Sequence, residues 1–181
     1  MKKTLKFLYN LVTTLFVVLS VGLAIALVGV RLFGLTPYSV LSGSMEPTYH
    51  VGSLIYVEKV DPLEIQVGDP ITFVLNEDLV VATHRVIEID AENQHFYTKG
   101  DANESPDSAP VHFNNLLGRP VFTIPQLGYL ASFLSSRQGM IVGVCGFIIL
   151  VLLLFFPDIM RAVDNSEKKK AFPDQDTEVK Q

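Results

Sequence analysis

Ser44 sits in the stretch Ser42-Gly43-Ser44-Met45-Glu46-Pro47-Thr48, where its neighbours constrain it. Gly43 lets the backbone turn tightly and approach other groups closely. Pro47 removes a donor and biases Glu46 toward extended conformations. A serine held in such a non-helical elbow can be a nucleophile, although clusters of Ser, Gly and Pro more often mark ordinary loops. A nucleophile of this kind needs a base, and the base needs a group that orients it. His84 is the candidate base. It lies in Val80-Val81-Ala82-Thr83-His84-Arg85-Val86-Ile87, where a period of two puts it on the same face as Ala82 and Val86. His50, His95 and His112 fall among loop-like or strand-end residues and read as solvated surface histidines. The acidic candidates come from Lys99-Gly100-Asp101-Ala102-Asn103-Glu104-Ser105-Pro106-Asp107, in which a glycine turn after a strand holds Asp101 and Asp107 six residues apart.

Together these residues fit one chemistry. An imidazole with the usual pKa near 6.5 takes a proton from a serine at neutral pH, provided a carboxylate fixes its tautomer and stabilises the imidazolium that forms. Metal-assisted hydrolysis has less support, because the chain lacks H-E-x-x-H and its histidines share no helical spacing. The single cysteine, Cys145, lies in an apolar run and has no internal disulfide partner. No cofactor and no metal are expected.

The elements that must position these residues are of two kinds. With 49% hydrophobic residues and a mean hydropathy of +0.34, the chain is too apolar for an ordinary soluble domain of its size and too charged in the middle to be all membrane. Residues 7–30 carry no charge, follow Lys2, Lys3 and Lys6 and precede Arg31, a run long enough to cross a hydrocarbon core of about 30 Å. A cleaved signal peptide is the rival reading, on the small-x-small triplet Ala24-Ile25-Ala26, but the apolar stretch exceeds the usual length. Residues 138–157 form a second uncharged run, followed by Arg161 and Lys168-Lys169-Lys170. Basic flanks belong on the cytoplasmic side, so residues 1–6 and 158–181 are expected inside and residues 31–137 outside, with the polar tail after Lys170 unstructured. Between the runs, residues 54–57, 71–75, 80–89, 96–98 and 121–124 are β-branched and aromatic and alternate with turn residues, which predicts a small all-β domain. Residues 33–138 hold 13 Asp/Glu against 5 Lys/Arg, which argues against a nucleic-acid partner.

Ser42-Gly43-Ser44-Met45-Glu46-Pro47-Thr48, Gly52-Ser53-Leu54-Ile55-Tyr56-Val57, Val67-Gly68-Asp69, Thr83-His84-Arg85-Val86 and Lys99-Gly100-Asp101-Ala102-Asn103 resemble, in this order, the motif boxes of type I signal peptidases. Histidine rather than lysine after Thr83 resembles the endoplasmic-reticulum branch, which includes archaeal and SipW-like Gram-positive enzymes. The resemblance implies a mostly β fold shared with self-cleaving repressors, here flanked by two transmembrane helices. It also implies a membrane-bound serine endopeptidase that removes signal peptides from exported preproteins after small residues of an A-x-A pattern. Its implied partners are preproteins, the lipid bilayer and a secretion translocon. Carried onto this sequence, Ser44 is the nucleophile, His84 the general base, and Asp107 or Asp101 the acidic third member; the Ser44 N–H and the Ser42 hydroxyl form the oxyanion hole. Two positions depart from the family's pattern. Pro70 stands where an apolar branched residue is common, so its strand should begin there or lie at an edge. Ala102 replaces a common Asn beside Asp101. Local reasoning favours Asp107 as the direct partner of His84, because Asp101, at a strand end after Gly100, is expected to be consumed by turn amides. The alternatives from other classes are a non-catalytic membrane-anchored adaptor and a soluble self-cleaving repressor. The absence of a DNA-binding half and the presence of two apolar runs argue against the second.

Overall fold

Alternating β-branched and aromatic residues between the apolar runs form strands wherever one face can be buried. The computed structural model describes residues 2–75 and 80–171. Seven antiparallel strands make one sheet in the order β1-β2-β7-β3-β4-β5-β6: β1 Leu35–Ser39, β2 Leu54–Glu58, β3 Pro70–Val74, β4 Val81–Asp90, β5 His95–Lys99, β6 Val111–His112 and β7 Leu116–Ile124. β3 begins at Pro70, as a residue without an amide donor requires. The buried faces converge on Ile71 and Phe73 of β3, Val86 of β4, Phe96 of β5 and Val111 of β6, closed by Ile65 and Phe113. Each such side chain contributes roughly 1.5–3 kcal/mol by leaving water.

Three elements within the region expected to be all β were not anticipated. β1 contains Pro37 and lies at the sheet edge, the place where a strand tolerates proline. β6 is two residues long, too short to produce a periodic signal. A helix, α2 (Leu127–Ser135), follows β7 inside an uncharged stretch, residues 120–136, that Arg137 alone separates from the second apolar run. Its N-terminus packs against the turn before β2: the Tyr129 N–H donates to the Gly52 carbonyl at 3.2 Å, and the Ser39 hydroxyl donates to the Gly128 carbonyl at 3.1 Å.

The chain divides into two units. The strands and α2 belong to Leu23–Gly139. The other unit contains most of two long helices, α1 (Lys2–Leu27) and α3 (Arg137–Ala171). In these, Lys6–Leu27 and Arg137–Pro157 are long and apolar enough to cross a membrane. Their large side chains point outward, as Leu11, Leu15, Leu19, Phe147 and Leu152 do, and the Tyr9 hydroxyl donates to the Leu153 carbonyl. The helix continues through Pro157 to Ala171. The expected unstructured tail beyond that residue and the turn Asn76-Glu77-Asp78 lie outside the described residues.

β7 changes partner at Gly118: Arg119 pairs with Glu58 of β2, while Gly118 pairs with Thr72 of β3. Gly118 has φ 148°, and a Cβ there would lie 2.0 Å from the Glu58 carbonyl oxygen. Gly118→Ala should therefore lower stability by at least about 2 kcal/mol, since backbone strain alone costs about 1–3 kcal/mol. The melting temperature of the detergent-solubilised variant checks this, and an unchanged value would mean that the two parts of the sheet are not tied together at this point.

Candidate active site

The register of β4 against β5 brings the distant candidates together. Arg85 pairs with Lys99 and Val86 with Thr98, so β5 ends beside His84 and the loop that follows it, carrying Asp101 and Asp107, opens next to the imidazole. On the other side of β4, His84 pairs with Ile71 of β3, and the Phe73 ring meets the imidazole edge-on at 6.2 Å. These apolar neighbours leave the His84 side chain 14% exposed. Ser44 arrives from the turns between β1 and β2. Its neighbour Met45 is buried and anchors the loop, and the Ala102 N–H donates to the Ser44 carbonyl at 2.9 Å. Gly100 is needed at this junction because a Cβ there would sit 2.6 Å from the same carbonyl.

The result is a continuous hydrogen-bonded chain. The Ser44 hydroxyl lies 3.1 Å from His84 Nε2, and His84 Nδ1 lies 2.6 Å from Asp107 Oδ2. A carboxylate only accepts, so Nδ1 carries the proton and Nε2 presents its lone pair to the serine. The Thr98 hydroxyl donates to the same Asp107 oxygen at 2.6 Å, and the Asp107 N–H donates to the Thr98 carbonyl at 2.9 Å. Thr98 is itself buried, so Asp107 is fixed from two directions. The Ser42 hydroxyl lies 3.3 Å from that of Ser44. An arrangement of this kind can move a proton from the serine to the imidazole while the carboxylate balances the charge that develops.

Asp101 makes no hydrogen bond to the imidazole among the described residues. Among the described residues its partners are the side chains of Arg85 and Thr48, not the turn amides expected from its position: Arg85 donates from Nε at 2.8 Å and from Nη2 at 2.6 Å, and Thr48 donates its hydroxyl. Arg85 also donates to the Gly68 carbonyl at 2.7 Å. One guanidinium thereby ties β4, the loop after β5, the loop before β3 and the turn after Ser44. The hydrogen bond from Arg85 holds the Asp101 carboxyl below the usual carboxylate range, against the opposing effect of burial, with Thr48 adding to the lowering. The bonding around Asp101 that the departure at Ala102 placed in question is thus supplied by Arg85 and Thr48.

Of the other histidines, only His50 is as solvated as expected, at 66% side-chain exposure, and it pairs with Glu46. His95 and His112 face each other across β5 and β6 with ring centroids 5.2 Å apart, and His112 Nδ1 accepts the Asn114 N–H at 3.1 Å. They are a cross-strand pair rather than isolated surface residues. Sequence reasoning did not single out Arg85, Thr98 or Thr48. Thr98 follows the buried Phe96 by two positions, a period that marks it as inward-facing; Arg85 gave no comparable sign.

The two aspartates separate by experiment. Asp107→Asn should keep the fold and lower the rate of any serine-dependent reaction by about 10⁴-fold, through the wrong imidazole tautomer. Asp101→Asn should chiefly cost stability, about 2 kcal/mol for hydrogen bonds to a charged group. The pH dependence has a definite sign. Asp101 is depressed in the folded chain, so its contribution is complete above the unfolded value of about 3.9 and is lost as the pH falls through the lower folded value. Acid should therefore erode the stability of the wild type more steeply than that of Asp101→Asn below about pH 4. Melting curves and rates on both variants check this, and a stable, inactive Asp101→Asn beside an active Asp107→Asn would reverse the assignment.

Comparison with known proteins points in one direction. Residues 11–99 match the family model described as signal peptidase, peptidase S26; that span includes Ser42, Ser44 and His84 and stops short of Asp101 and Asp107. The chain is similar to signal peptidase I W of Bacillus subtilis (strain 168), 41% identical over 126 residues, covering 64% of this chain and 64% of that protein. It is also similar to the signal peptidase complex catalytic subunit SEC11 of Lachancea thermotolerans, 30% identical over 128 residues, covering 64% of this chain and 75% of that protein. The corresponding subunit of Saccharomyces cerevisiae (strain YJM789) is 29% identical over 110 residues, covering 55% of this chain and 65% of that protein. The match therefore spans just under two thirds of the Bacillus and Saccharomyces relatives. With the Lachancea subunit covered over three quarters of its length and the mostly β sheet and two long apolar helices in place, this chain belongs to the signal peptidase family, peptidase S26.

Proposed function

We propose that this chain is a membrane-bound serine endopeptidase that removes signal peptides from exported preproteins. The observation that carries the reading is the hydrogen-bonded chain from Ser44 through His84 to Asp107, at 3.1 and 2.6 Å. Ser44 attacks the scissile carbonyl while His84 Nε2 takes its proton. Asp107 stabilises the imidazolium, which then protonates the leaving amine; a water activated by the same nitrogen releases the acyl group. The Ser44 N–H and the Ser42 hydroxyl receive the oxyanion, a contribution of about 3 kcal/mol per donor. Asp101 acts as support, through Arg85. Neither a metal nor a cofactor enters these steps.

A cleft of about 670 Å³ beside Ser44 and His84 supplies a place for an extended substrate. One wall is the segment Tyr38–Ser42 and the other is β4 from Val81 to His84. β5 pairs with β4 only from Arg85 onward, so this part of β4 can offer its edge to a peptide strand, giving affinity through main-chain hydrogen bonds. The family resemblance assigns small residues to the two A-x-A positions before the cut.

The same reading sets the location. Spans at 7–30 and 138–157 with basic flanks on the cytoplasmic side leave residues 31–137 outside the cell membrane, where signal peptides emerge from a translocon. Lipid contact by the catalytic unit is supported by residues 120–136, which carry no charge between Arg119 and Arg137 and expose Phe122, Tyr129 and Phe133 at 59%, 59% and 46%. An adaptor without catalysis would give no reason for the aligned serine, imidazole and carboxylate. Ser44→Ala should insert and fold normally yet process no preprotein in detergent, because the site loses the hydroxyl aligned with His84 Nε2. Cleavage retained by that variant would refute the mechanism.

A further inference from the structure

The Asp107 carboxylate meets two donors on one oxygen. His84 Nδ1 lies 2.6 Å from Oδ2, and the Thr98 hydroxyl donates to the same Oδ2, also at 2.6 Å. Among the described residues these are the only side chains bonded to that carboxylate. Thr98 is buried and sits two positions after the buried Phe96, on the inward face of β5, where it pairs with Val86 of β4. Valine has nearly the shape of threonine and would fill such a position without a polar group to satisfy. A hydroxyl buried there needs a partner, and the one it has is the carboxylate that holds the base. Among the described residues the sheet buries one other threonine, Thr72, whose hydroxyl meets that of Thr83 at 2.8 Å. We infer that Thr98 is a positioning residue for the reaction: its hydroxyl sets the rotation of the Asp107 carboxylate so that Oδ2 faces His84 Nδ1. The inference rests on the endopeptidase reading above.

A carboxylate turns about its Cβ–Cγ bond in a broad, roughly two-fold well, so a single bond to an imidazole that can itself rotate does not define the pair. The bond from the Asp107 N–H to the Thr98 carbonyl, 2.9 Å, fixes where residue 107 lies but not where its oxygens point. The hydroxyl supplies the missing constraint. Its own direction is set, because a β-branched side chain is stiff at χ1 and β5 is held against β4 at Val86 and Arg85. Asp107 is partly exposed, so water competes for the same oxygens, and a second protein donor on Oδ2 opposes that competition. A donor to the charged form also favours it, which keeps the proton on Nδ1 as the imidazole gains its charge. Thr98 does not line the cleft beside Ser44. Its effect therefore reaches the reaction through Asp107 and leaves substrate binding alone.

The test compares the full chain in detergent as wild type, Thr98→Val and Thr98→Ser, with one preprotein as substrate. Thr98→Val keeps the shape and the backbone bond and loses the hydroxyl. It should lower kcat about tenfold, the rate equivalent of one hydrogen bond, with KM changed by less than about twofold, and should move the His84 Nδ1 proton resonance upfield. Thr98→Ser keeps a hydroxyl and should return both readouts to near the wild-type values. If Thr98→Val lowers the melting temperature sharply, Thr98→Ser against Thr98→Ala reads the same hydroxyl at closely matched side-chain size. A wild-type kcat or an unmoved Nδ1 resonance in a folded variant without the hydroxyl would overturn the inference, as would a serine variant no better than valine or alanine. Failure of the underlying reading looks different: the wild type would cut no preprotein, and the response of the Nδ1 resonance to the hydroxyl would then decide the placement of the carboxylate by itself.

Discussion

The contact on which this structure depends is the one between His84 Nδ1 and Asp107 Oδ2, at 2.6 Å. An imidazole can rotate and can hold its proton on either nitrogen, and only the tautomer protonated at Nδ1 leaves Nε2 able to receive the serine proton. A carboxylate at Nδ1 selects that tautomer and orientation together. Much of the sheet serves to hold this pair: β4 presents the imidazole against Ile71 and Phe73, and β5 ends beside it with Thr98 bonded to Asp107 through both side chain and backbone.

A second arrangement fixes the serine against that pair. The serine-bearing loop is tied to the loop after β5 by the Ala102 amide and held near Arg85 through Thr48. Arg85 and His84 are adjacent in β4 but do separate work: His84 faces the serine, while Arg85 joins Asp101, Thr48 and Gly68. The ion pair is partly buried, with Arg85 32% and Asp101 16% exposed, and breaking one partner of such a pair costs more than the pair contributes, because the other is left unsatisfied. Aspartates six positions apart thus hold different posts, one bonded to the imidazole and one in the frame around it.

The legible part of this molecule was the part written in local pattern. The strands around residues 54–57, 71–75, 80–89, 96–98 and 121–124 carry β-branched and aromatic residues between turn signals, and each has its counterpart in the structure. β1 was hidden because it contains Pro37 and follows the first apolar run with Arg31 as the one charge between them, and α2 because Arg137 alone separates its uncharged stretch from the second apolar run. Within the site, Ser44, His84 and Asp107 stood out by residue type and motif, and the structure brings them into one hydrogen-bonded chain. The environment of Asp101 did not stand out. Its partners lie 16 and 53 residues away in sequence, and local reasoning, which could see only the turn around Gly100, assigned the carboxylate to nearby amides. The facing of His95 and His112 was missed for the same reason, since it depends on the β5 and β6 register.

The central claim is that Asp107, rather than Asp101, fixes the His84 tautomer. The most direct measurement is proton and nitrogen magnetic resonance of the imidazoles in selectively labelled protein, in wild type and in each aspartate-to-asparagine variant. The account predicts a strongly low-field Nδ1 proton on His84 that survives in Asp101→Asn and is lost or moved far upfield in Asp107→Asn. A His84 resonance protonated at Nε2 in the wild type, or one that Asp107→Asn leaves in place, would contradict it.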